Sequence, residues 1–251
     1  MRRLLFFAGI AFGSVIHTGF ATAANTPVVL ELFTSEGCSS CPPADRLLES
    51  LDEKQPFPGA ELVVLSEHVD YWNGDGWTDP FSAPQFSERQ RWYADQFRID
   101  SVYTPQIVVD GQTQSVGGDL AAIRRAVQTA LRSPKVAVSI SASADQGKTI
   151  KFHLTSSDVS KSDGTATVYI ALAEGKAESH VGKGENRGRM LTHVAVVRVL
   201  STVGKVKAGT AFAKDVELPK PQSLSASHYR VVAFLQSEKS HRIIGATELK
   251  I

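Results

Sequence analysis

The sequence predicts an α/β domain followed by an all-β antiparallel sandwich domain, and three features point that way. Residues 25–133 alternate β-branched apolar runs with segments whose apolar residues recur every three or four positions, the pattern of alternating strands and helices. Residues 134–251 carry seven short runs in which apolar and polar residues alternate, separated by Gly, Asp and Ser, with no convincing helix. The change of texture falls at Ser133-Pro134, which places the domain boundary there.

In the first region Val28 to Phe33 reads as a buried strand. Ala44, Leu47, Leu48 and Leu51 then fall at i, i+3, i+4 and i+7, so a helix starts near Cys41 with Pro42 and Pro43 in its first turn. Leu62 to Leu65 is a second strand. Asn73 to Pro84 holds Gly74, Gly76 and Pro80 and reads as a long loop, after which Phe86, Trp92, Tyr93 and Phe97 mark a second helix. Ile107 to Val109 and Thr113 to Val116 flank Asp110-Gly111, the signature of a hairpin on a type I′ turn. Asp119 can cap a third helix with Leu120, Ile123, Val127 and Leu131 on its apolar face. The resulting order is β-α-β-α-β-β-α. In the second region the strands centre on Val136 to Ile140, Ile150 to Leu154, Val168 to Leu172, Val194 to Leu200, Ala211 to Leu218, Tyr229 to Leu235 and Ile243 to Leu249.

Ahead of both regions, Arg2 and Arg3 precede an apolar run from Leu4 to Ile16, and Ala21-Thr22-Ala23 supplies small residues at a cleavage site. Residues 1–23 read as a signal peptide, so the mature protein is expected to be periplasmic or secreted, where disulfides persist. Composition excludes several classes. Of 251 residues, 42% are hydrophobic, which is too many for a disordered chain, and the 19 Gly follow no collagen-like period. With 27 Lys+Arg against 26 Asp+Glu there is no polybasic excess, and no nucleic acid is expected as a partner. That neutrality is a cancellation. Residues 25–133 hold 8 Lys+Arg and 16 Asp+Glu, 8 − 16 = −8, whereas residues 134–251 hold 17 and 10, 17 − 10 = +7. The two regions could attract each other or offer partners surfaces of opposite sign.

The only two cysteines lie in Gly37-Cys38-Ser39-Ser40-Cys41-Pro42, after a strand and at the start of a helix. There the unpaired backbone N–H groups and the positive end of the helix dipole stabilise a thiolate on Cys38, and Cys41 one turn inside can resolve a mixed disulfide. Three chemistries compete: a redox-active dithiol, a metal site completed by other ligands, and a structural bridge. So short a loop removes little unfolded-chain entropy, which weakens the last. Glu31, an acid inside an apolar strand, is a candidate general base toward Cys41; the competing reading is that it faces solvent or pairs with a base such as Arg46. His68, Asp70 and Trp72 share one face if the second strand continues through them. His68 could shuttle protons or join Cys38 and Cys41 as a copper ligand, while Tyr71, Trp72 and Trp77 read as packing for the long loop. Arg187, Arg189 and His193 are either a recognition edge or solvated.

The strand, C-x-x-C, helix, strand, helix, Thr104-Pro105, hairpin and last helix together resemble a thioredoxin-like domain. The resemblance implies that Pro105 is cis and faces the dithiol, that the Thr104 backbone binds an extended substrate segment, and that Tyr103 flanks it. Glu31-Leu32-Phe33-Thr34-Ser35-Glu36-Gly37 with the dithiol, His68-Val69-Asp70-Tyr71-Trp72, Gly76-Trp77-Thr78-Asp79-Pro80 and Tyr103-Thr104-Pro105-Gln106 resemble more closely a bacterial family of exported thioredoxin-like proteins catalogued as a domain of unknown function. The likeness extends to Gly184-Glu185-Asn186 and to Leu191 through Arg198. Gly37 replaces the Trp that ordinarily precedes the first cysteine, and Ser39-Ser40 replaces Gly-Pro, so the direction of electron flow stays open.

The expectation is an exported thiol-disulfide oxidoreductase without a cofactor, with Cys38, Cys41 and Glu31 catalytic and Tyr103, Thr104 and Pro105 binding substrate. Its partners would be protein thiols or disulfides, with a membrane redox partner as a further candidate. The alternatives are a copper chaperone or sensor using Cys38, Cys41 and His68, and a non-catalytic interaction protein.

Overall fold

The computed structural model describes residues 25–74, 76–145, 148–219 and 228–251; the signal-peptide reading of residues 1–23 lies outside them. The expected order of the first region forms: β1 (Thr26–Thr34), α1 (Pro42–Lys54), β2 (Ala60–His68), α2 (Pro84–Phe97), β3 (Gln106–Val109), β4 (Thr113–Val116) and α3 (Leu120–Ala130). Local chemistry sets these limits. Two prolines open α1, Pro84 opens α2, and the Asp119 carboxylate accepts the Ala122 N–H at 2.9 Å to cap α3. In the β3–β4 turn Asp110 and Gly111 both have positive φ, 51° and 67°. A Cβ on Gly111 would lie 2.3 Å from the His241 carbonyl oxygen, so both the turn and the packing require glycine.

All seven strands of the second region form as well: β5 (Val138–Asp145), β6 (Thr149–Ser156), β7 (Ala166–His180), β8 (Met190–Val206), β9 (Phe212–Pro219), β10 (Tyr229–Ser237) and β11 (Ile243–Lys250). Their pairing overturns the expected fold class. An α/β thioredoxin-like domain followed by a separate sandwich does not form: among the described residues the protein is mostly β, 45% strand and 18% helix, with three helices. One mixed eight-stranded sheet runs β11-β10-β7-β8-β2-β1-β3-β4 through both regions, and a three-stranded sheet, β5-β6-β9, lies apart from it. The regions join where β2 and β8 meet in parallel at Ser66 and Val196.

The physical reason lies in β2 and β8. Leu62-Val63-Val64-Leu65 and Val194-Ala195-Val196-Val197 are buried on both faces, which is the condition of central rather than edge strands. Apolar residues of α1 and α3 (Leu48, Leu51, Ile123, Val127) pack on Leu30, Leu32, Leu62 and Val64 on one face of the sheet. On the other face Tyr93 of α2 meets Phe33 and Val108, and Phe86 shares a cluster with Val29, Val63, Ala171, Val232 and Phe234. The small sheet covers β7 and β10 through Phe152, Ile150 and Leu218.

Buried polar links also tie the regions together. Arg89 of α2 pairs with Glu31, reaches Gln236 of β10 at 3.3 Å, and sits over the rings of Tyr169 and Phe234. Arg230 of β10 makes two hydrogen bonds to the Asp52 carboxylate of α1, at 2.8 and 2.7 Å. Lys135 pairs with Asp110, which in turn accepts the Val29 N–H at 3.0 Å. No helix among the described residues is long and apolar enough to cross a membrane.

Candidate functional site

The chain leaves β1, turns through Ser35, Glu36 and Gly37, and enters α1 at Cys41, its N-cap. Cys38 and Cys41 form a disulfide with 5.4 Å between their Cα atoms. The Cys41 carbonyl accepts the Ala44 and Asp45 N–H groups at 2.8 and 3.1 Å, so the second cysteine is already inside the helical hydrogen-bond pattern. Ser39 and Ser40 are exposed, yet Cys38 and Cys41 are only 1% and 0% exposed.

The tip of the β7–β8 hairpin, residues 181–189, bonds to the backbone of this turn. The Asn186 side-chain amide, fully buried, donates to the carbonyls of Glu36 and Cys38 at 2.8 and 2.9 Å. Beside it the Glu185 carboxylate accepts the Ser39 N–H at 3.0 Å; hydrogen bonding from the Ser39 side chain first, and then this backbone bond, holds its pKa below the usual carboxylate value. The Glu185 anion thus sits on the backbone of the turn, two residues ahead of the Cys41 N-cap.

Beneath the turn lies a buried charged cluster. Glu36 accepts hydrogen bonds from the Trp77 indole at 2.8 Å and from Ser179, and its own N–H donates to Asp79 at 2.9 Å. Asp45 accepts the Thr34 hydroxyl at 2.8 Å. The His193 ring lies between these acids, Nε2 3.4 Å from Glu36 and Nδ1 3.7 Å from Asp45. Burial works against a charge on His193, but hydrogen-bonding and Coulombic attraction from Asp45 and Glu36 outweigh it and push its pKa up to about 10. His68 contacts the His193 ring edge-on at 4.6 Å, and its Nδ1 is 2.7 Å from Asp79. Burial alone would raise the Asp79 pKa; the charge and hydrogen bond of His68 and two backbone N–H groups lower it instead.

The cis-proline expectation is met, since Thr104-Pro105 is cis. Pro105 is buried close to α1: a Cβ on Gly117 would touch both Ala44 and Pro105, at 3.0 and 3.1 Å. Trp72 connects this loop to the dithiol turn, because its indole donates to Thr104 Oγ1 at 2.7 Å while its Cβ lies against Gly37. The Tyr103 carbonyl accepts the Gln90 amide at 2.8 Å and its hydroxyl donates to Gln114, which leaves the residue half-buried beside the loop.

Other candidates are not brought to the dithiol. Side chains of β1 alternate, and Glu31 falls on the α2 face with Val29 and Phe33 while Leu30 and Leu32 face α1. Fully buried, Glu31 pairs with Arg89 rather than Arg46 or solvent, which separates it from Cys41 by the sheet. Glu67 joins that group 3.8 Å from Arg89; burial first, and then the charge of Glu31, raise its pKa well above the usual range. β2 ends at His68, so Asp70 and Trp72 do not continue its face. His68 is held by Asp79, and no three His, Cys, Asp or Glu among the described residues converge as metal ligands. Arg187 and Arg189 are exposed, whereas His193 is buried and belongs to no surface edge. Sequence reasoning missed Glu36, Asp45 and Asn186 as neighbours of the dithiol. The two acids had a signal, since they flank the C-x-x-C closely; Asn186, 148 residues from Cys38, had only its place in the family-like Gly184-Glu185-Asn186 stretch.

Fold and site define a mostly β protein with a C-x-x-C disulfide just ahead of a helix, its turn bonded to a hairpin from the second half of the chain. The chain belongs to the family described as a protein of unknown function, DUF1223, which matches residues 29–236. It is similar to the crystal structure of protein AGR_C_4864 from Agrobacterium tumefaciens, at 28% identity and a TM-score of 0.71 over 91% of this chain and 96% of that one. It shares its fold with HBP35 of Porphyromonas gingivalis, at 16% identity and a TM-score of 0.63 over 91% of this chain and 76% of that one. No curated protein matches the chain.

Proposed function

We propose that this is an exported thiol-disulfide oxidoreductase acting on protein thiols or disulfides through Cys38 and Cys41. The observation that carries the reading is the C-x-x-C pair in the turn leading into α1, with Cys41 as its N-cap and Trp72 tying that turn to the Thr104-Pro105 loop. Export is supported by the pattern of residues 1–23. Kinship with the thioredoxin-like superfamily is part of the proposal and is supported by those two local motifs, not by the overall architecture.

In one direction the Cys38 thiolate attacks a substrate disulfide, forming a Cys38–substrate bond and releasing one substrate thiolate, which takes up a proton. Cys41, deprotonated, then attacks Cys38 Sγ, closes the Cys38–Cys41 bond and releases the second substrate thiolate. Two electrons pass from the dithiol to the substrate. In the other direction a substrate thiolate attacks Cys38, Cys41 leaves as the thiolate, and the second substrate thiol displaces Cys38. The Glu185–Asn186 tip holds the backbone on both sides of Cys38, so release of the tip would loosen the turn that carries the sulfur.

Equilibrating the protein with glutathione buffers and following exchange with a small aromatic disulfide tests the reading. Exchange well above free-thiol rates, abolished by Cys38→Ser, is expected. Exchange no faster than a free thiol would sink it. A Cys41→Ala variant is expected to stall as a mixed disulfide and so identify the substrate.

A further inference from the structure

His193 stands 152 positions after Cys41 in sequence, about as far as Asn186, yet β8 delivers it to the underside of the dithiol turn. Glu36 lies two residues before Cys38 and Asp45 four residues after Cys41, one helical turn in, with its N–H on the Cys41 carbonyl at 3.1 Å. Both acids are buried, at 0% and 4% exposure. Because these buried acids flank the two cysteines closely along the chain, a thiolate on Cys38 would form in a poorly solvated site biased against negative charge.

We propose that His193 is a positioning residue for the dithiol: a buried cation held between Glu36 and Asp45, it offsets their charge and keeps the Cys38 thiolate stable in the reduced protein. Its Nε2 lies 3.4 Å from Glu36 and its Nδ1 3.7 Å from Asp45, within ion-pair reach of both acids. On β7, Ala177 lies opposite His193 in the ladder. Glu36 faces it from the β1–α1 turn, Asp45 from α1, and His68, tied to Asp79, from β2. Phe81 from the loop before α2 lies 5.7 Å away, with the Arg198 guanidinium over that ring. The raised basicity of His193 agrees with a permanent cation at neutral pH. The proposal rests on the dithiol reading above and adds what tunes it.

The test measures iodoacetamide alkylation of Cys38 against pH in the full chain carrying Cys41→Ala, and the glutathione equilibrium of the intact dithiol. His193→Gln is expected to slow alkylation at pH 7 about tenfold, to raise the pH midpoint by about one unit, and to shift the equilibrium toward the disulfide. Glu36→Gln, which can still accept from Trp77, is expected to do the reverse, and the double variant to return toward the parent. A folded His193→Gln protein with the parental profile overturns the proposal, as does a double variant no closer to the parent than His193→Gln. Should His193→Gln fail to fold, Glu36→Gln decides, and no acceleration in it overturns the proposal. Alkylation does not depend on exchange. A profile that responds in a protein inert toward disulfides therefore leaves this proposal standing and removes the oxidoreductase reading; an active protein with an unresponsive profile does the opposite.

Discussion

Glu31 sits in a strand whose side chains alternate between α1 and α2, and a one-residue difference in register decides whether an acid serves the dithiol or the opposite core. Here it anchors Arg89. Replacing it with Gln leaves a guanidinium without its nearest partner and is expected to cost about 3–5 kcal/mol in denaturant unfolding. Cys38 alkylation should be unchanged; slower alkylation would reinstate a link between Glu31 and the dithiol. His193 gives the second prediction. Its folded pKa of about 10 lies above its ordinary 6.5, so its contribution to stability is fully present below pH 6.5 and disappears as pH rises through about 10. Urea midpoints between pH 6 and pH 10 should fall in the parent, and His193→Gln should flatten that slope. Neither role can be read from composition. The pattern of residues 28–33 marks Glu31 as an acid in a strand, but which helix packs on which face is decided by chain crossing, and the partners of His193 come from distant segments.

Elements were more legible. Prolines, the Asp119 cap and the Asp110-Gly111 turn act over a few residues, so three helices and the hairpin follow from local chemistry. Gly111→Ala should cost about 2 kcal/mol or more, because alanine combines a left-handed backbone with a contact on the His241 carbonyl; a change under half that would mean the turn can shift. The β7–β8 tip was not legible as an anchor, since nothing in Gly184-Glu185-Asn186 names the carbonyls it binds. Asn186→Ala leaves the Glu36 and Cys38 carbonyls without that donor. Dithiothreitol should then reduce the Cys38–Cys41 bond several-fold faster, and unchanged kinetics would show that the tip is no barrier to the sulfur atoms.

For the whole molecule, the seven later strands were visible through period-two alternation, but alternation says that a strand has two faces and not which strand lies beside it. The uniformly apolar centres of β2 and β8 held the missing information, because strands buried on both faces belong in the middle of a sheet. The charge asymmetry between residues 25–133 and 134–251 is met by buried pairs, Arg230–Asp52 and Lys135–Asp110, set beside an apolar cluster drawn from both regions. Buried pairs are weakly screened, so small-angle scattering is expected to be the same in low and high salt; expansion in salt would mean that surface charge holds the halves together. Calorimetry should give one transition, and two separated transitions would show that the sheet does not unite the halves. The β7–β8 tip also has a consequence for biogenesis. A chain made from its N-terminus completes the C-x-x-C turn long before Asn186, 148 residues later than Cys38, has been synthesised. Until then the turn lacks the amide that holds the Glu36 and Cys38 carbonyls. The dithiol turn therefore gains its last backbone anchor only when the second half of the chain has been made and has folded back.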